Sequence, residues 1–196
     1  LNGTTIQELQ SGDTIIGLTS STALQKGDGS TGITAATAGT DYVAPGTATS
    51  FTAKQTFSGT SSAIASKFTN ALELVTVSAT AATGTINYDV TTQSVLYYTT
   101  NASANWTVNF RASSGTSLDT AMATGEAITV VFLVTQGATA YYNNAVTIDG
   151  SSVTPKYQGG TAWTAGNASS IDAYSYTIVK TGSATFTVFA AQTQFK

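Results

Sequence analysis

The sequence predicts an all-β protein in two parts: extended, intertwined β segments over residues 1–66, then a two-sheet β-sandwich over residues 67–196. Three observations lead there. After residue 67, apolar and polar residues alternate with the two-residue period of half-buried strands. Gly and Asp-Gly sites punctuate these runs as turns. Charged residues make up 9% of the chain against 41% hydrophobic, so Thr, Ser, Ala and Gly supply most of the polarity.

In the first part, Ile6, Leu9, Ile15, Ile16, Leu18, Leu24, Ile33, Val43, Phe51 and Phe57 stand isolated among Gly, Thr and Ser, with no sustained period. Alone they bury too little to offset an ordering cost of roughly 1–2 kcal/mol per residue. Order there is therefore expected to come from sister chains. Three copies wound round an axis, a homotrimer, give each short strand backbone partners and apolar contacts. Ile15, Ile16, Ile33, Tyr42, Val43, Phe51 and Phe57 are the candidates for that intersubunit burial. A flexible Gly/Ser/Thr linker is the alternative. The chain begins at Leu1 rather than Met, so a trimmed or partial piece of a longer polypeptide is expected.

In the second part, residues 72–77 and 86–90 open a series of strands, with Gly84 between them as a turn signal. Over residues 105–111, Trp106, Val108 and Phe110 alternate with Asn105, Thr107, Asn109 and Arg111, a strand with one buried face. Residues 128–134 are apolar on both faces: Ile128, Val130, Phe132 and Val134 on one, Val131 and Leu133 on the other. That predicts a central strand between two layers, or between the sheet and a neighbouring subunit. Residues 146–148 and 153–157 flank Asp149-Gly150, a two-residue hairpin signal. Residues 173–180 and 184–190 make a last pair around Gly182, with Tyr174, Tyr176 and Ile178 facing one way. At least eight strands result. One helix is predicted over residues 117–124, with Thr116 or Ser117 as N-cap and Gly125 as the stop, plugging an end of the sheets.

The chain has no His and no Cys, which removes the usual general base, the thiol nucleophile, disulfides and most transition-metal sites. No catalytic residue, metal site or cofactor is predicted. Paired carboxylates are the one catalytic device left, as in glycoside hydrolysis, and Glu73, Asp89, Glu126 and Asp172 are acids free to meet in space, though nothing in their spacing brings them together. A net charge of −3, with one Arg and six scattered Lys, offers no basic stripe for nucleic acid. No apolar run approaches the ~20 residues that cross a bilayer, so membrane insertion is not expected. Tyr141, Tyr142, Tyr157 and Trp163, in loop-rich stretches beside amides, are candidates for sugar or protein contact, and equally for core or interface packing.

Residues 24–46 read LQKGDGSTGITAATAGTDYVAPG and residues 51–59 read FTAKQTFSG. As a set these resemble connector segments of bacteriophage tail-fibre and head-fibre proteins, where similar Lys-Gly-Asp-Gly, Ala-Gly-Thr-Asp-Tyr and Ala-Lys-Gln-Thr-Phe runs join modules. The region from Asn70, with VSATAATGTINYD at 77–89 and TVFAAQTQFK at 187–196, resembles a structural module carried by phages of marine cyanobacteria and related hosts. The resemblance implies a non-enzymatic structural protein on the exterior of the virion's tail or capsid, a fibre or fibre-like appendage. It implies a jelly-roll order for the sandwich, and as partners sister chains, other virion proteins and a host cell-surface glycan or protein. Two alternatives keep the same sequence features: a capsid decoration or cement protein, and a secreted adhesin or carbohydrate-binding module.

Overall fold

A computed structural model describes residues 25–27, 33–35, 51, 54–59, 61–62 and 64–196. The chain divides into two compact units, Leu1–Lys67 and Phe68–Lys196. In the first unit, β1 (Gln25–Gly27) pairs antiparallel with β2 (Ile33–Ala35), with Lys26 opposite Thr34.

The second unit is an all-β sandwich of two sheets. Its strands are β3 (Val75–Ala81), β4 (Gly84–Asp89), β5 (Val95–Thr100), β6 (Trp106–Arg111), β7 (Ala127–Thr135), β8 (Asn143–Ile148), β9 (Ser151–Val153), β10 (Lys156–Tyr157), β11 (Ile171–Gly182) and β12 (Thr185–Phe195). One sheet has six strands in the order β10-β12-β11-β7-β5-β3, the other four in the order β4-β6-β8-β9. From β3 to β8 the chain alternates between the sheets, so successive strands within one sheet run parallel: β3, β5 and β7 in one, β4, β6 and β8 in the other. The antiparallel strand pairs of this unit come later, in β8–β9 and in β11 with β7 and β12.

This winding differs from the expected jelly roll, whose Greek keys are antiparallel. A strand that crosses to the opposite sheet before returning needs no hairpin, and it returns in the direction in which it left. Alternation therefore produces parallel neighbours.

The core lies between the sheets and is largely aromatic. Trp106, Val108 and Phe110 are buried on β6, as their alternation predicts, and Val130, Phe132 and Val134 are buried on β7. Rings meet across the gap: Phe110 and Tyr176 at 4.9 Å, Trp106 and Tyr174 at 5.4 Å, Tyr88 and Phe132 at 6.5 Å, all tilted or edge-on as ring quadrupoles favour. The buried Tyr88 hydroxyl donates to the carbonyls of Ser94 and Val131, tying β4 to the opposite sheet. β7 is central, bonded to β5 and β11, and its second face, with Val131 and Leu133, is half-buried.

Several boundaries differ from the sequence reading. β5 was not expected, and the opening strand starts at Val75 rather than residue 72. Asp149 and Gly150 form the predicted turn, both with positive φ (50° and 81°). The strand after it ends at Val153, because Pro155 cannot donate to a ladder, and Lys156–Tyr157 joins the other sheet. The last hairpin turns at Ser183–Ala184. Helix α1 is Leu118–Ala121, shorter than expected. Ser117 caps it, its Oγ accepting from the Thr120 N–H at 3.0 Å, and Met122 already has extended backbone. Leu118 is fully buried, so the single turn does close onto the core.

Candidate functional site

The four aromatic residues singled out by sequence lie on β10 and on loops that join or leave β7, β8 and β11. Tyr157 and Trp163 meet edge to face, with centroids 4.8 Å apart and planes at 87°. Trp163 also packs against Tyr174 at 5.3 Å and Tyr176 at 6.4 Å. Its indole N–H donates to the Asn143 carbonyl. Both rings are half-buried, and Tyr157 lines a surface depression of about 480 Å³ together with Lys156, Gln158 and Phe189.

Asn143 organises this end of the sandwich. It is 3% exposed; its side-chain N–H groups donate to the carbonyls of Trp106 and Ala145, and its side-chain oxygen accepts from the Tyr176 hydroxyl at 3.0 Å. A buried amide with both ends satisfied fixes the start of β8, and with it the carbonyl that Trp163 reaches.

Tyr141 and Tyr142 are placed by different contacts. The Gln136 side chain clamps the Tyr141 backbone at both ends, Nε2 donating to the carbonyl at 2.7 Å and Oε1 accepting from the N–H at 3.0 Å. Tyr142 donates its N–H to the Asn105 side-chain oxygen and accepts from the Trp106 N–H. Both rings are half-buried and pack on the core.

Behind the clamp lies Asp172, fully buried. Its Oδ2 accepts from Gln136 Nε2 at 3.0 Å and from the Asn167 N–H at 3.1 Å, while Oδ1 has no partner among the described residues. Burial pushes its carboxyl above the usual range, and the two donors only partly oppose that shift. Gly166 lets the loop pass this close, since a Cβ there would stand 2.2 Å from the Tyr141 carbonyl and 2.6 Å from Asp172 Oδ2. Gln136, Asn143 and Gly166 were missed in the sequence. Asp172 shares the inner face with Tyr174, Tyr176 and Ile178, so its alternation signal was present.

The four acids considered for catalysis do not converge. Asp89 pairs with Arg111 at 2.5 Å on the outside of the four-stranded sheet, Asp172 is in the interior, Glu126 accepts from the Ala123 N–H beside the helix, and Glu73 is exposed just before β3. Among the described residues no group of three or more His, Cys, Asp or Glu could hold a metal ion. The arrangement offers partly exposed rings beside amides.

Of the seven candidates for intersubunit burial, Ile15, Ile16, Tyr42 and Val43 lie outside the described residues and Ile33 opens β2. Phe51 and Phe57 are exposed, as are Phe68, Leu72 and Leu74 further on. No helix among the described residues is long and apolar enough to cross a membrane. Comparison with family models, with curated proteins and with solved structures finds no match for the chain.

Proposed function

We propose that this chain is a non-enzymatic structural protein of a tailed-phage virion, a homotrimeric fibre or fibre-like appendage on tail or head. The first unit anchors it to other virion proteins. The sandwich is the knob, and its rim, with Tyr157 and Trp163 half-exposed and Tyr141 and Tyr142 on the adjoining loop, contacts a host-surface glycan or protein. The observation that carries this reading is the order of the parts: fibre-like connector motifs at 24–46 and 51–59 stand directly before an all-β sandwich. A rim of rings fixed by edge-to-face contacts and a buried Asn supports the contact role, because little side-chain freedom is left to lose on binding.

Immunogold electron microscopy of particles from the encoding phage, with an antibody raised against the chain, tests the assignment. Label at a few appendages per particle is expected. Label spread over the shell with capsid symmetry would replace the fibre by a decoration protein, and unlabelled particles would sink the virion reading.

A further inference from the structure

The two outer faces of the sandwich differ in chemistry. The four-stranded sheet turns hydrogen-bonded polar side chains outward: Asn109 donates to Asn87 at 2.8 Å and accepts from Thr147 at 2.7 Å, and Arg111 pairs with Asp89 beside them. Over β3, β5 and β7 the six-stranded sheet does the opposite. Register puts Val75, Val95 and Val131 in one row across β3, β5 and β7, and Val77, Tyr97 and Leu133 in the next. On the far side of the same face, Phe189 and Phe195 of β12 are 51% and 56% exposed. Among the described residues the strands bring a single charged residue to this face, Lys156 at the β10 edge.

We propose that the outer face of the six-stranded sheet is the assembly surface of the sandwich, and that its occupant is a second copy of this chain. The proposal deepens the homotrimer reading and rests on it only for the number of copies. A face whose one strand-borne charge sits at its β10 edge meets its own copy with little like-charge repulsion and no ion to desolvate at its centre. Some of its hydroxyls pair within the face, as Thr129 and Thr177 do at 2.9 Å.

The size also fits. Five long strands about 4.8 Å apart, read over about nine residues of about 3.3 Å rise, give on the order of 700 Å², close to the ~800 Å² per partner of a stable interface. A sugar would need several polar groups set to orient it, and across β3, β5 and β7 these rows offer Val75, Val95, Val131, Val77 and Leu133 with Tyr97 as their one polar tip.

The test uses the full chain in sedimentation velocity. Wild type is expected at three times the 20.0 kDa chain mass. Leu133→Lys, in the second row, and Val77→Lys, at an edge position already 64% exposed, should each weaken association by at least about tenfold, because a buried unpaired ammonium is costly. Thr107→Lys on the polar face should assemble as wild type. The chain has no Cys, so Ser175→Cys, in the row of Val131, gives a clean second measurement. Its maleimide labelling should slow about tenfold when the chain is concentrated enough to assemble, while Ser152→Cys in β9 labels equally at both concentrations.

If a Lys variant loses its circular dichroism, the labelling rates decide alone. Equal labelling of Ser175→Cys in both states means an open face and overturns the proposal, leaving the trimer to be held elsewhere. A protected dimer keeps the surface and removes the trimer. Wild type that stays at 20.0 kDa at every concentration removes both.

Discussion

The Lys180 ammonium stands 2.7 Å from the Asp119 carboxylate, joining the inner face of β11 to the single-turn helix at the end of the sandwich. It also donates to the carbonyls of Met122, at 2.8 Å, and Asp119. Lys180 is 7% exposed, so this is a buried cation held by three oxygens rather than a surface pair. Asp119 in turn accepts from the Ala184 N–H at 2.7 Å, which ties the β11–β12 turn to the same point.

Lys180→Met should therefore cost about 1–3 kcal/mol, the price of leaving a buried carbonyl unpaired, and loosen the helix and the last hairpin together. Urea unfolding with hydrogen exchange at Ala184 and Met122 measures both effects. Unchanged stability would mean that the pair is incidental.

Asp119 and Asp172 should respond to acid in opposite senses. The Lys180 hydrogen bond and the Ala184 N–H hold the Asp119 carboxyl below its usual range, so its contribution is complete above the ordinary Asp pKa and is lost as pH falls through the lower folded value. Burial raises the Asp172 carboxyl, so its ionisation costs stability as pH rises from the ordinary value through the raised folded one. Asp119→Asn should flatten the acid-side loss of melting temperature. Asp172→Asn should remove the decline on the higher side, with stability at neutral pH within about 1 kcal/mol of wild type or above it. Melting curves from pH 3 to 7 separate the two.

Asn143→Leu should be among the most damaging single changes at the aromatic rim. It leaves the Tyr176 hydroxyl and the Trp106 and Ala145 carbonyls without their partner, a cost of about 1–3 kcal/mol per buried group. Trp163→Phe keeps a ring but drops the N–H bond to the Asn143 carbonyl and should cost about 1 kcal/mol. Denaturant midpoints at constant slope check the order of the two variants.

Gly166→Ala probes the close approach of the loop to Tyr141 and Asp172. The added carbon meets a backbone carbonyl, which cannot swing aside as a side-chain tip can, so the loop must move. A loss of about 1–3 kcal/mol is expected, with the largest exchange changes at Tyr141 and Asn167. Ala without effect would show that the loop already has room.

Period and turn chemistry made much of the sandwich legible. The inner faces of β6 and β11 follow from alternation around Phe110 and Tyr176, and Asp149-Gly150 announces its hairpin because both residues accept positive φ. β5 was missed because Val95, Leu96, Tyr97 and Tyr98 form a short apolar run without alternation. Such a run states burial on both sides and not its conformation. The rim was half legible. Tyr157 and Trp163 stand out by type, but the amides that position the rim, Gln136 and Asn143, look like any loop or strand-end polar residue until their partners are known.

By itself the chain of residues determined the β class, the inward side of its alternating strands and the absence of His and Cys chemistry, because each follows from residue type or from spacing along one strand. Only the tertiary structure decided which strands are neighbours, that β3 to β8 alternate between sheets, and that one outer face is polar while the other is apolar along β3, β5 and β7. Pairing joins residues far apart in sequence, such as Val95 with Val131 or Asn109 with Thr147, and a two-residue period specifies a side without naming the partner.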